Sequence, residues 1–283
     1  MKKQRDFKVL SGFILKIMAI VFMTFDHIGL FMARYENLKE ITPIFRILGR
    51  FSFPLIIFLL VEGIIHTKSI LKYFIRLSLL ALAFLIGQIF YYFIISKDVS
   101  DILSPAVDLL LTFGTVYLLK RKDWFSLLAI VPVAWAILTL FVRNYELTHV
   151  KDISWWPFFL RPDYTIYGPL LGLGFYYAGE CAPVLLRMNE GTKDFVGTSY
   201  EQTTKNILSV VVLVVLTISV TFIDKNALHL YYSMPWQIYA IFAAIPLFFY
   251  SGKRGYNAKW FQYGCYIYFP MHFIIIYLIF ALI

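Results

Sequence analysis

Apolar runs of about 20 residues, the length a helix needs to cross a bilayer, recur along almost all of this 283-residue chain. They fall near 10–33, 44–66, 72–96, 102–119, 124–142, 163–186, 206–223, 231–250 and 260–283. The sequence is 60% hydrophobic and 15% charged, too few charges to cover the surface of a water-soluble core. The surplus apolar surface must therefore face lipid. The expected fold is all-α, a polytopic transmembrane helix bundle of about nine spans, treated as a single membrane domain over residues 1–283. The 28 Phe and 20 Tyr suit rings placed at the bilayer interfaces and between helices.

The net charge of +9 is carried in short clusters between the apolar runs. No long basic arm exists, which argues against a nucleic-acid partner. With nine spans and a cytoplasmic N-terminus, sixteen Lys and Arg fall inside and eight outside, while Lys16 and Arg50 lie within spans. That twofold bias follows the positive-inside rule and puts the C-terminus outside the cytoplasm. The basic start resembles a signal-peptide n-region. The apolar run behind it is too long and lacks a small-x-small cleavage site, so it is expected to stay as the first span. Cys181 and Cys265 form no CxxC pair and are assigned no chemistry.

Ionisable side chains at membrane depth are costly and mark function by default. Counting 1.5 Å per residue, Asp26 and His27 should lie roughly 10 Å below the outer edge of the first span. Arg50 on the second and Asp108 on the fourth reach roughly 9 Å, and His272 on the ninth comes close to the same layer from the inside. Two imidazoles beside carboxylates and a guanidinium suit proton transfer and anion binding. Two structural ion pairs are the plainer reading.

Arg46, Arg50 and Pro54 repeat every four residues, so both guanidinium groups share a helix face. Pro54 has no amide hydrogen, and the Arg50 carbonyl should lose its helical partner there and kink the helix. Glu62 and His66 also stand four apart, near the cytoplasmic end. Two ligands are too few for a metal site, and no metal is expected. A polar lining at a cytoplasmic entrance fits them better. Asp163-Tyr164-Thr-Ile-Tyr167-Gly168 at the outer start of the sixth span, and Tyr268-Phe-Pro-Met-His272 in the ninth, also read as site material. His149 and His229 read as solvated loop residues. Walker A, GxSxG, HExxH and GxGxxG motifs are absent, which disfavours an ATPase, a serine hydrolase and a zincin.

Three segments carry a family resemblance: Leu15-Lys-Ile-Met-Ala-Ile-Val-Phe-Met-Thr-Phe-Asp26-His27-Ile-Gly29, then Phe45-Arg46-Ile-Leu-Gly-Arg50-Phe-Ser-Phe-Pro54, then Leu60-Val-Glu62-Gly63-Ile-Ile-His66-Thr67. They resemble the opening of the TraX family, whose members are similar to the F pilin acetylation protein and are grouped with transmembrane acyltransferases. The Asp163 to Gly168 stretch and Phe269-Pro-Met-His272 resemble later family blocks. Where members often carry Asn, this chain has Asp108, followed by Thr112 and Gly114. The resemblance implies transfer of an acetyl group from cytosolic acetyl-CoA, the donor substrate, to a cell-envelope acceptor outside the bacterial cytoplasmic membrane.

On that reading His27, oriented by Asp26, is the general base or takes the acetyl group covalently, and His272 completes the proton path. Arg46 and Arg50 bind an anionic acceptor or stabilise the oxyanion. Asp108, Asp163, Tyr164 and Tyr167 contribute to acceptor binding, and Glu62, His66 and Arg76 to donor binding. A proton-coupled transporter would use the same buried layer as a relay. An envelope-assembly scaffold would need it only for stability.

Overall fold

The computed structural model describes residues 9–91, 104–149, 153, 155–188, 190–223 and 234–282. The N-terminal basic cluster, Lys97, Lys151, Lys225 and His229 lie outside them. The described chain is helical: α1 Gly12–Met32, α2 Thr42–Gly49, α3 Ser52–His66, α4 Ile70–Tyr91, α5 Pro105–Arg121, α6 Ile130–His149, α7 Tyr167–Met188, α8 Ser199–Ile223, α9 Ala244–Phe248 and α10 Lys259–Ala281. Among the described residues, seven stretches are long and apolar enough to cross a membrane: Gly12–Met32, Thr42–His66, Ile70–Ile89, Trp124–Glu146, Tyr167–Met188, Ser199–Ile223 and Lys259–Ala281. This is a multi-pass membrane protein. Leu71, Leu79, Leu82 and Ile86 of α4 stay exposed, as lipid-facing side chains do.

The fourth and eighth expected spans fall on shorter pieces. α5 has 17 residues and buries Asp108, Thr112 and Thr115 among its apolar side chains. The eighth is a 3₁₀ stretch, Met234–Ala243, leading into the five-residue α9. Pro246 cannot donate to the Phe242 carbonyl, so a regular α-helix cannot run through it. The second expected span is broken where proline demands. α2 ends at Gly49, Arg50 and Phe51 form tight turns back to Ile47 and Leu48, and α3 resumes at Ser52 with Pro54 in its first turn. The Arg46 carbonyl, which the tight turn leaves without its usual amide, accepts from Arg50 Nε at 3.4 Å.

The chain forms two compact units. One comprises residues up to Leu59, Gly174–Thr217 and Trp236–Ile283. Here α1 and α10 run in the same direction: Thr24 meets Tyr268, His27 meets His272, and Tyr35 meets Phe280. Residues 249–254 lie along the start of α1, with Leu10 N donating to the Phe249 carbonyl and Gly12 N to the Lys253 carbonyl. Asn206, early in α8, donates to the carbonyls of Phe248 and Tyr250. The starts of α1, α8 and α10 are thereby tied to one segment.

The other unit comprises Leu60–Leu173 and Ile218–Pro235. Lys120, at the end of α5, donates to the Ile64 and Ile65 carbonyls and caps the end of α3. The start of α5 is bonded to the approach to α7, Ser104 N donating to the Arg161 carbonyl. Gly172 of α7 faces Thr112 and Val116 of α5 with no room for a side chain.

Candidate functional site

The close approach of α1 and α2 is made by glycine. A Cβ on Gly49 would stand 2.6 Å from the Asp26 Cα, and one on Gly29 would stand 2.9 Å from the Phe45 Cβ. Small residues let helices meet at backbone distance in lipid. At this crossing Arg46 Nη1 pairs with Asp26 Oδ2 at 2.9 Å and Arg50 Nη2 with Asp26 Oδ1 at 2.5 Å. Arg46 Nη1 also donates to the Asp26 carbonyl. The four-residue spacing puts both guanidiniums on one carboxylate, and the cluster keeps a net charge of +1.

His27 faces another neighbour. Its Nδ1 stands 2.6 Å from Nε2 of His272, and the rings are 4.7 Å apart between centroids. His272 Nδ1 lies 3.0 Å from the Tyr268 carbonyl. A carbonyl only accepts, so His272 Nδ1 carries a proton and donates to it. With both rings neutral, His272 Nε2 then accepts and His27 Nδ1–H donates. His27 Nε2 is left with its lone pair. The arrangement is that of a base nitrogen whose tautomer is set by a chain of partners behind it.

Tyr268 fixes this chain. Its ring stacks on His272 at 5.3 Å, and its hydroxyl lies 2.7 Å from Thr24 Oγ1 on α1. Thr24 has one hydroxyl proton and donates it to the Ile20 carbonyl at 2.8 Å. The Tyr268 hydroxyl therefore donates to Thr24. His272 is buried, and Phe273 sets its ring edge-on to His27 at 5.3 Å.

The expectation that Asp26 orients His27 is corrected: the Asp26 carboxylate goes to Arg46 and Arg50, and the ring of His27 is held by His272. The cause is helical geometry. Consecutive residues point about 100° apart, so Asp26 turns to α2 while His27 turns to α10.

Asp108, expected to contribute to acceptor binding, lies in the second unit. Its Oδ2 accepts from the backbone amides of Asp163 at 2.7 Å and Tyr164 at 3.0 Å. These bonds hold the chain as it turns through Thr165, whose φ of 48° is unusual for a β-branched residue, into Tyr167, the fully buried start of α7. Asp108 Oδ1 and Thr112 Oγ1 are buried without a hydrogen-bond partner among the described residues. Asp163 and Tyr164 are half-buried. Glu62 is buried, whereas His66 is exposed and its Nδ1 meets the Glu62 backbone carbonyl rather than the carboxylate. Arg76 bends back to the Lys72 carbonyl.

One buried cluster carries no sequence signal. Arg161, one of the eight cations that the nine-span reading puts outside, makes a two-pronged pair with Glu146 at 2.8 and 2.9 Å. Glu146 Oε1 also accepts from Ile153 N, and Trp156 stacks on Trp135 with centroids 4.3 Å apart. Fifteen residues and a Trp-rich turn separate the two charges, so no helical spacing links them.

Residues 11–182 match the TraX protein family. A probable fimbrial assembly protein, FimC of serogroup H1, from Dichelobacter nodosus is 37% identical over 106 residues, which cover 36% of this chain. The chain thus spans 38% of that relative's length. No solved structure matches significantly. The family match runs over more than half of the chain and includes Asp26, His27, Arg46, Arg50, Asp108 and the Asp163 to Tyr167 turn, so this protein belongs to the TraX family.

Proposed function

We propose that this protein transfers an acetyl group from cytosolic acetyl-CoA to a cell-envelope acceptor on the far side of the bacterial cytoplasmic membrane. The observation that carries the reading is the contact of His27 Nδ1 with His272 Nε2, in a chain His27, His272, Tyr268, Thr24 that leaves His27 Nε2 without a hydrogen-bond partner among the described residues. Nε2 takes the proton of the acceptor hydroxyl or amine as its oxygen or nitrogen attacks the thioester carbonyl. The new acyl bond forms, the carbon–sulfur bond breaks, and the proton passes from Nε2 to the leaving thiolate, giving free CoA. Arg46 and Arg50, positive in excess of Asp26, favour an anionic acceptor or the oxyanion. The relative named for fimbrial assembly supports a surface peptide of pilin type as acceptor.

The topology in this reading is nine crossings with the N-terminus inside and the C-terminus outside. Two contacts support counting the short segments as crossings. Lys120 ties the end of α5 to the end of α3, so α5 returns the chain to that side of the membrane. Asn206 and Leu10 tie the starts of α8 and α1 to residues 248–250, so the segment before Phe249 brings the chain back from the far end of α8. The parallel course of α1 and α10 fits an odd number of crossings.

Purified protein in proteoliposomes, given labelled acetyl-CoA on the N-terminal side, should acetylate an acceptor peptide enclosed on the other side. Solute flux without thioester consumption would instead support a proton-coupled transporter using the same Asp, His and Arg residues.

A further inference from the structure

The stretch Ser251-Gly-Lys-Arg-Gly-Tyr256, between α9 and α10, has more structure than a positive-inside loop requires. Topology asks only that Lys and Arg be present on the cytoplasmic side. Here the backbone is locked. Ser251 N donates to the Leu10 carbonyl at 2.8 Å, and Gly12 N and Phe13 N donate to the carbonyls of Lys253 and Arg254 at 2.8 and 2.9 Å. Ser251 Oγ donates to the Leu10 carbonyl and accepts from Lys253 N.

Gly252 and Gly255 are in the left-handed region, with φ of 71° and 73°. A side chain on the first would strike Gln202 and on the second Ser11. Among the described residues, the N–H groups of Gly252, Arg254, Gly255 and Tyr256 have no acceptor, and neither Lys253 nor Arg254 pairs with a carboxylate. Successive unspent amides at left-handed glycines form a concavity that suits anions. Two exposed cations, Lys253 and Arg254, border it.

A flat aromatic surface adjoins these donors. Trp260 is exposed, and its Nε1 donates to the Tyr256 hydroxyl at 3.0 Å. Tyr256 is in turn set against Phe13 of α1 at 5.3 Å. A stackable indole beside anion donors suits a nucleotide, its base on the ring and its phosphates on the amides and cations. His27 lies 15 residues beyond Gly12 on α1, about 22 Å along the axis. A donor anchored at the loop must therefore carry its reacting group on a long arm.

We propose that this loop binds the phosphoadenosine end of the acyl-CoA donor, Lys253, Arg254 and the adjoining amides taking phosphates and Trp260 the adenine. The proposal rests on the acetyl-transfer reading and moves donor recognition away from Glu62, His66 and Arg76.

The test is binding of adenosine 3′,5′-bisphosphate and of CoA to the full chain in phosphatidylcholine nanodiscs, with acetyl transfer measured in parallel. The double variant K253Q/R254Q should weaken both ligands at least about tenfold, or ~1.4 kcal/mol, and raise KM for acetyl-CoA with kcat unchanged. W260L should weaken the bisphosphate and leave inorganic pyrophosphate unaffected. Unchanged affinity in K253Q/R254Q overturns the proposal, as does an effect confined to retention of anionic lipid in phosphatidylglycerol nanodiscs. Wild-type protein that binds neither ligand also overturns it. If acetyl transfer persists while the variants bind normally, the loop assignment alone fails. If the variants lose binding but no protein transfers acetyl, the loop stands and the reaction fails.

Discussion

Gly49→Ala should be among the most damaging single-methyl additions in this protein. The new Cβ would stand 2.6 Å from the Asp26 Cα, a backbone atom that cannot rotate away. Carbon atoms rest at about 3.5–4.0 Å, so α1 and α2 would have to separate by about 1 Å. Arg46 Nη1 now lies 2.9 Å from Asp26 Oδ2, and such a shift would carry that pair out of hydrogen-bond range. Overpacking costs about 1–3 kcal/mol, and loosening the half-buried Arg46–Asp26 pair adds less than stranding a fully buried charge would. The two overlap, and about 2–3 kcal/mol in total is expected. Gly87→Ala in α4 is the control, since nothing lies within 4 Å of its added Cβ and alanine favours a helix by about 1 kcal/mol. Thermal unfolding of both variants in nanodiscs, followed by circular dichroism, should show a large fall in Tm for G49A and none for G87A. Equal melting temperatures for the two would refute the close-approach argument. Against an Asp26→Asn background, the G49A loss should shrink, because the ion pair is already gone.

His272→Phe should lower acetyl transfer by about 100-fold, the lower range of general-base contributions, because His27 Nδ1–H loses the acceptor that holds its tautomer. His272→Gln, whose side-chain oxygen can accept that proton, should recover part of the rate with KM for acetyl-CoA unchanged. Glu146→Gln should destabilise by about 3–5 kcal/mol, since it strands the buried Arg161, whereas E146L/R161M should melt closer to wild type. Asp108→Asn should fold normally because its amide oxygen can still accept from Asp163 N and Tyr164 N. Asp108→Ala should cost about 1–3 kcal/mol for each amide stranded and speed hydrogen exchange at both.

The elements that sequence made legible share one physical basis. Asp26 and His27 stand out because charge inside a twenty-residue apolar run is expensive, and the break after Arg50 follows from the missing amide of Pro54. Their partners were half legible. Spacing put Arg46 and Arg50 on one face, but the direction in which adjacent Asp26 and His27 point depends on which helix lies on each side of α1. Nothing in the local pattern encodes that, and so His272 rather than Asp26 holds the His27 ring. Arg161 looked like a topological charge because Glu146 sits fifteen residues before it, beyond any helical repeat. The role of Asp108 was hidden for a related reason: its partners are backbone amides, which every sequence contains.

The proposed acetyl transfer depends on the Nε2 nitrogen of His27 being the proton acceptor of the reaction. Purified His27→Ala protein, supplied with acetyl-CoA labelled in the acetyl group and an acceptor peptide, measures this directly. Transfer at least about 100-fold below wild type, with unchanged melting and retained CoA binding, is the expected result. Transfer at the wild-type rate would contradict it.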